Sequence, residues 1–212
     1  MTNHPTSRLD AWQVQMRACR KCVHAGFLPE AHPMFRGHQG QARMLVGQAP
    51  AAKAHLIGVP WSGPSGRVLR AWFARAGLAP DRFLDDWYLT SLTKCFPGKA
   101  ASGSGDRAPS AAEQALCRPW LNGEIDLVRP RLIVTLGRMA ADALIPGARR
   151  ESLATLVGTL HQVDFGHGPI PVIPLPHPSG VGRWLNDPAN RTLVDQGLDH
   201  LTSLERTMHH EQ

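Results

Sequence analysis

The sequence predicts one α/β domain: a three-layer α/β/α sandwich around a short, mostly parallel sheet of about four strands. Short apolar runs alternate with helical patterns along the chain, which is typical of a parallel sheet covered on both faces. The length of 212 residues suits one domain, and the apolar share of 42% is that of a folded globular protein. We expect the domain to comprise residues 1–212, with a core at about 19–201 and flexible ends.

The first half of the chain is predicted to contain a helix, two strands and a second helix. Leu9, Trp12 and Met16 share one face of the first helix. The strands are the short apolar runs RMLVGQ and WYLTSLT, and Gly77 supplies a C-terminal glycine for the second helix. In chain order, we expect a helix at 7–20, a loop at 23–42, a strand at 43–48, a helix at 67–77 and a strand at 87–93.

The second half begins with a surface loop rich in Gly, Ser, Ala and Lys. Ser110 followed by Glu113 forms the pattern of a capping box, which predicts a helix start, and Pro130 breaks that helix. The remaining elements follow from apolar runs and helical spacing. We expect a loop at 97–110, a helix at 110–128, a strand at 131–137, a helix at 138–145, a β-segment at 159–164, a strand at 170–175 and a helix at 190–206.

The net charge is +6, which fits a partner with a phosphate backbone, although a basic soluble protein without such a partner has the same composition. No apolar run approaches the roughly 20 residues of a membrane span. The polar residues 1–15 lack the apolar segment of a signal peptide. We therefore expect a cytoplasmic monomer that does not associate with membranes.

Four cysteines stand out in such a chain, because thiols in a reducing compartment more often bind metal or do chemistry than form disulfides. Cys19 and Cys22 form a CxxC pair at the end of the first helix. Cys95 follows the second strand, and Cys117 lies within the next helix. Zinc, an iron–sulfur cluster and four unrelated buried thiols are the alternatives. The spacing lacks the second CxxC of a zinc ribbon.

Two glycine- and proline-rich segments follow the first strand. In Gly47–Pro50, glycine allows close backbone approach to a ligand and proline stiffens the turn. The segment GVPWSGPSG, residues 58–66, runs into a helix N-terminus, whose free N–H groups favour an anion. Trp61 within it is suited to stacking on an extruded base. The alternative is a tight surface loop with Trp61 packed into the core.

The last strand leads into His177-Pro-Ser179-Gly180. A neutral imidazole at a strand end can donate a hydrogen bond to a developing anion, although a histidine in this position can also be structural. Arg183, Trp184 and Arg191 follow. These side chains are suited to contacting backbone phosphates or wedging into a base stack.

Six ordered motifs, from Cys19 to about Leu201, resemble the family-four uracil-DNA glycosylases, the iron–sulfur branch of that superfamily. The family's CxxC, GEAPG-like loop and GxPFxGxxG are matched by CRKC, GQAPA and GVPWSGPSG. Its KC pair after a strand is matched by Lys94 and Cys95. Its NRxPxxxExxxCxPYL, PxLIVxLG and HP motifs are matched by DRAPSAAEQALCRPWL, PRLIVTLG and HPSG.

The resemblance implies a DNA glycosylase that starts base excision repair on DNA containing damaged bases, and hence an association with the nucleoid. It implies a 4Fe–4S cluster held by the four cysteines. It also implies that Trp61 stacks on the base, that His177 stabilises charge near uracil O2, and that the first loop holds water and sugar. The expected site residues are His177 and Gln48 for catalysis; Gly47, Ala49, Pro50, Trp61, Ser91 and Ser179 for the substrate; and Ser65, Arg183 and Trp184 for DNA.

Two departures from the family pattern affect the substrate. Gln48 stands where the family usually has an acidic residue, and a neutral amide orients water without offsetting a cationic sugar. Ser91 replaces the asparagine that reads the uracil edge, and serine has only one hydroxyl to offer. Other branches with a GxAPA loop act on a broader set of deaminated bases. The alternatives are a lesion-binding protein with weak or no hydrolysis, and a glycosylase for hypoxanthine or xanthine.

Overall fold

The computed structural model describes residues 7–103, 105–179 and 183–210. Strands and helices alternate along these ranges. The strands are β1 (Arg43–Gly47), β2 (Trp87–Ser91), β3 (Leu132–Leu136), β4 (His161–Asp164) and β5 (Pro169–Leu175). The helices are α1 (Arg8–Arg17), α2 (Lys21–His24), α3 (Ala52–Ile57), α4 (Pro64–Arg75), α5 (Phe83–Asp86), α6 (Ala111–Val128), α7 (Arg138–Leu144), α8 (Leu153–Leu156) and α9 (Pro188–His210).

Within the described ranges the strands form one sheet of five, in the order β2-β1-β3-β5-β4. The first four of these are parallel neighbours, and β4 joins β5 antiparallel at the edge. The prediction of about four strands was therefore one strand short. The additional strand is β4, a polar edge strand in which only Val163 is buried, and it lies within the β-segment expected at 159–164.

The sheet has a hydrophobic core on each face, which confirms the three-layer α/β/α architecture. Successive strand residues point to opposite faces, so Met44 and Val46 enter one core and Leu45 the other. The first core is closed by α1, α6 and α7, and the second by α4 and α9. No helix in the described part of the chain is both long and apolar enough to cross a membrane.

Helix α6 begins where its capping box predicts. The hydroxyl of Ser110 accepts from the amide of Glu113 at 3.2 Å, and the Glu113 carboxylate accepts from the amide of Ser110 at 2.7 Å. The predicted helix at 67–77 begins earlier, at Pro64, because proline is well suited to the first helical turn. α3 was missed, since its short Ala-rich stretch lies within residues that otherwise indicate loop.

A buried ion pair joins α6 to the end of β2. Lys94 and Glu124 are 2% and 0% exposed, and Lys94 Nζ lies 2.7 Å from Glu124 Oε2. The same ammonium donates to Thr90 Oγ1 at 2.7 Å and to the Ser91 carbonyl at 2.6 Å. Tyr88 donates its hydroxyl to Glu124 Oε1 at 3.1 Å. The charges are thus fully partnered without water, which is the condition for burying them.

We expect Lys94→Met to lower the free energy of unfolding by about 3–5 kcal/mol, because it leaves the Glu124 carboxylate buried and unpaired. Urea denaturation followed by tryptophan fluorescence measures the change. The matched control is Lys99→Met, which removes an exposed pair to Asp106 and should cost less than about 1 kcal/mol. Equal losses in the two variants would contradict the assignment.

Candidate active site and cysteine cavity

The carboxyl ends of the parallel strands meet at one edge of the sheet. Gly47 at the end of β1 pairs in register with Ser91 at the end of β2. On the other side, Leu136 of β3 pairs with Leu175 of β5. The loops that follow these strands therefore start side by side, in the position where open α/β sheets bind their ligands.

The first loop is held by the segment after β2. The carbonyl of Gly47 accepts from the amide of Leu92 at 3.0 Å, and the carbonyl of Gln48 accepts from the amide of Thr93 at 3.2 Å. These bonds fix the backbone of the loop, while the half-buried Gln48 side chain has no hydrogen-bond partner among the described residues. Its amide is therefore available to a ligand or a water.

Trp61 lies close to two glycines, and at Gly66 it leaves no room for a side chain. A Cβ atom at Gly47 would lie 3.1 Å from Trp61 Cζ2, and one at Gly66 would lie 1.7 Å from the Trp61 carbonyl oxygen. Trp61 itself has a φ of 58°, a strained left-handed conformation for a tryptophan. Arg70 donates to its carbonyl at 3.3 Å. The half-buried ring packs partly against the second core. Trp61 thus contacts the core and also lies next to the first loop, so the two predicted alternatives do not exclude each other.

His177 follows β5 and comes next to Trp61, with ring centroids 6.1 Å apart. The Ser179 amide, which can only donate, points at His177 Nδ1 from 3.3 Å, and Ser179 Oγ lies 2.9 Å from the same nitrogen. Burial lowers the pKa of His177. The ring is therefore neutral, with Nδ1 as the acceptor and the proton on Nε2. Gly137, at φ 85°, lets the chain pass close to the His177 backbone.

Ser91 is buried at the end of β2. Its hydroxyl donates to the carbonyl of Thr93 at 2.9 Å. Because that bond uses the only proton of the side chain, Oγ is left as an acceptor toward any ligand. The side chain thus differs from an asparagine amide, which offers a donor and an acceptor together.

The residues predicted to contact DNA are more scattered. Ser65 is the second residue of α4 and is half-buried, close in sequence to Trp61. Arg183 is exposed in a short 3₁₀ turn, Arg183–Asn186. Trp184 in that turn packs against the second core, and its carbonyl accepts from Asn190 at 2.8 Å. Gly180 of the HPSG motif lies outside the described residues.

All four cysteines line one cavity, together with apolar residues such as Leu28 and Pro33. Two N–H groups point at sulfur: the Lys94 amide lies 3.3 Å from Cys117 Sγ, and Trp120 Nε1 lies 3.2 Å from Cys19 Sγ. No group of three or more His, Cys, Asp or Glu within the described ranges has a ready metal-binding geometry. The thiols therefore converge on one cavity without a preformed coordination geometry.

The environment of the cavity favours protonated thiols while no cation is present. Desolvation, aided by the neighbouring thiols and by Glu113, raises the pKa of Cys22 to about 11. Burial likewise raises the pKa of Cys95 to about 12. A positively charged metal centre reverses this balance, since thiolates are its ligands and metal binding releases their protons. Four thiols with N–H donors suit thiolate ligation of a cluster.

Few sequence signals indicate the residues that support the site. Glu124 and Trp120 lie in α6 at positions that read as an ordinary helix, and Arg70 reads as an exposed helical cation. Lys94 was part of a recognised KC pair, but no sequence signal predicts that its side chain is fully buried. That burial depends on Glu124, which lies 30 residues further along the chain.

Comparisons with known proteins agree with this fold. The family model described as the uracil DNA glycosylase superfamily matches residues 36–201. The chain is 29% identical to a type-4 uracil-DNA glycosylase of Pyrobaculum aerophilum, over 79% of this chain and 81% of the relative. It is 28% identical to one of Saccharolobus solfataricus, over 89% and 82%. A type-5 uracil-DNA glycosylase of Pyrobaculum aerophilum is 40% identical over 58 residues, 27% of this chain and 23% of that one.

We expect His177 to titrate below the ordinary histidine pKa of about 6.5 and to carry its proton on Nε2 when neutral. Because the unfolded chain takes up this proton at higher pH than the folded one, the stability that His177 contributes is lost as the pH falls through this range. Long-range ¹H–¹⁵N NMR of the imidazole measures both properties. A neutral ring protonated on Nδ1 would contradict the role of the Ser179 amide.

Proposed function

The chain belongs to the uracil DNA glycosylase superfamily, and from this premise we propose that it hydrolyses the N-glycosidic bond of uracil in DNA, the first step of base excision repair. The observation that carries the proposal is the meeting of the Trp61 ring, the Gly47 loop and neutral His177 at one edge of the sheet. An extruded base stacked on Trp61 comes within reach of the imidazole.

The leaving base takes the electron pair of the bond between N1 and the sugar C1′, and so departs as an anion. The Nε2–H of His177 is the donor that stabilises this charge, in the position that the family resemblance places near uracil O2. A neutral donor suits a buried site, because it needs no desolvation of a full charge. One such preorganised donor is worth roughly 2.7–4 kcal/mol in the transition state.

Water then attacks C1′, and the proton that it loses neutralises the departed uracil anion. The Gln48 side chain, free of partners among the described residues, supplies an amide oxygen that accepts a hydrogen bond from this water. The amide has no charge to offset the cationic sugar, so Gln48 orients the water and contributes less than a carboxylate would. The same feature favours a second candidate function, a lesion-binding protein that hydrolyses slowly or not at all.

Base recognition follows from the acceptor at Ser91. Uracil has an N–H at N3, whereas cytosine has a lone pair there. An acceptor thus distinguishes the deaminated base from its parent. Hypoxanthine and xanthine share a comparable ring N–H, which keeps them as alternative substrates of the same pocket.

We also propose that Cys19, Cys22, Cys95 and Cys117 hold a 4Fe–4S cluster. The shared cavity and the two N–H···S contacts support this. The cluster's contribution is structural, because hydrolysis of a glycosidic bond transfers no electrons. The four proposed ligands come from three parts of the fold. The CxxC pair lies at α1 and α2, Cys95 lies in the loop after β2, and Cys117 lies in α6.

DNA is the partner that this chemistry requires, and the net charge of +6 supports binding to its phosphates. Exposed Arg183, together with Ser65 and the partly buried Trp184, belongs to the proposed DNA contacts. We propose that the protein acts as a monomer on the nucleoid, in the cytoplasm.

We expect His177→Ala to lower uracil excision from an oligonucleotide by about 10²–10³-fold, since it removes one transition-state donor. The matched control is His38→Ala, an exposed histidine in the loop before β1, at the opposite end of that strand. Full activity in His177→Ala would refute the assigned role. A panel of uracil, hypoxanthine and xanthine oligonucleotides accompanies the assay. Saturable binding of damaged duplex without release of any base would support the lesion-binding candidate.

We expect the purified protein to be brown and to contain iron and acid-labile sulfide. Cys95→Ser should lose most of the iron and unfold at a lower temperature, because a ligand and the loop that it anchors are lost together. Metal analysis and thermal denaturation measure these effects. A colourless wild-type protein with stoichiometric zinc would overturn the cluster assignment.

A further inference from the structure

The indole N–H of Trp120 is directed at the sulfur of Cys19. Trp120 Nε1 lies 3.2 Å from Cys19 Sγ, and the ring lines the cysteine cavity. Cys117, three residues earlier, is its neighbour on the surface of α6. An indole N–H can only donate, so the sulfur is the acceptor whether it is a thiol or a thiolate. The contact belongs to the tryptophan itself, because a phenylalanine ring at this position has no N–H.

The indole is held in place by the two helices that carry the CxxC pair. Trp12 on α1 meets it edge-on, with ring centroids 4.9 Å apart, and donates its own Nε1–H to the Trp120 carbonyl at 3.4 Å. Lys21 on α2 places its Nζ over the Trp120 ring, 5.3 Å from the centroid. A Cβ atom at Gly123 would lie 2.2 Å from Trp12 Cζ2, so the glycine allows this close packing. The ring is therefore oriented by its neighbours.

The acidic side chain in the cavity wall and the buried ammonium beside it are already paired. Glu113 lines the cavity, and its carboxylate accepts from Arg107 at 2.7 Å. Lys94 also lines the cavity, and its ammonium lies 2.7 Å from a carboxylate oxygen of Glu124. Two of the four sulfurs instead accept from neutral N–H groups. These dipoles act on the charge of a thiolate at hydrogen-bond distance.

We propose that Trp120 is a positioning residue for the cluster: it holds the thiolate of Cys19 and draws off part of its negative charge. This inference rests on the proposed 4Fe–4S assignment. A hydrogen bond to a charged acceptor is stronger than one between neutral groups, so the contact strengthens when the thiol of Cys19 becomes a bound thiolate. It therefore favours the loaded protein over the metal-free one. Hydrogen bonds to sulfur also raise the reduction potential of a cluster, because the reduced form has one more negative charge.

The test compares Trp120→Phe with wild type, because phenylalanine keeps an aromatic ring and removes the N–H. We expect the variant to lose iron to a chelator about fivefold faster, as for the loss of one hydrogen bond. Titration with dithionite, which supplies the electron, should give a lower midpoint potential. The matched control is Trp12→Phe, which removes the neighbouring indole N–H, one directed at a carbonyl. It should change the rate of iron loss by less than about twofold and leave the potential unchanged.

A measurement on the native side chain decides the case in which Trp120→Phe does not fold. Wild-type protein with ¹⁵N at the indole nitrogen of its tryptophans, reduced with dithionite, should show in pulsed EPR a hyperfine coupling of ¹⁵N to the unpaired electron of the cluster. The coupling should persist in Trp12→Phe.

Three results would overturn the role of Trp120: no coupling in iron-loaded wild type, unchanged iron loss and potential in Trp120→Phe, or equal changes in both variants. Each of them would leave the cluster assignment intact. Wild-type protein without iron would overturn the cluster assignment and, with it, this role. Uracil excision is not a readout here, so the outcome is independent of the proposed activity.

Discussion

The buried ion pair of Lys94 and Glu124 is the interaction on which the arrangement of the site depends. Two opposite charges without access to water must remain together, because separating them would leave each one desolvated and unpaired. The Lys94 ammonium also holds the Ser91 carbonyl, and its backbone amide points at the sulfur of Cys117. One residue therefore fixes the end of β2, the position of α6 and one wall of the cysteine cavity.

This arrangement indicates how the proposed cluster, which transfers no electrons, would support hydrolysis. The five residues from Ser91 to Cys95 include the serine proposed to contact the base and a thiol that lines the cavity. The amides of Leu92 and Thr93, between them, hold the first loop through Gly47 and Gln48. A cluster bound to Cys95 would thus restrain the same short segment that positions the pocket, so the two sites share one rigid support.

The parts of this structure that could be predicted are those encoded by local pattern. The apolar runs indicated β1, β2, β3 and β5, and the Ser110 capping box marked the start of α6. The four cysteines, which the motifs indicated would converge, line one cavity. Features that depend on distant partners were not predictable. The burial of Lys94 requires Glu124, and the packing of Trp184 requires the second core.

Neutral groups and charged groups occupy different places around the proposed site. In the proposed site, the groups that would face the base and the water are neutral: the Gln48 amide, the Ser91 oxygen and the imidazole of His177. Neutral dipoles can stabilise a departing anion without the desolvation cost of a buried charge. Outside, the exposed cation of Arg183 is proposed to contact phosphate. In the proposed mechanism an amide stands at Gln48 in place of a carboxylate, so the leaving base and the phosphates of the DNA would have to offset the cationic sugar. Catalysis of this kind would therefore depend on how closely the DNA backbone is drawn around the site.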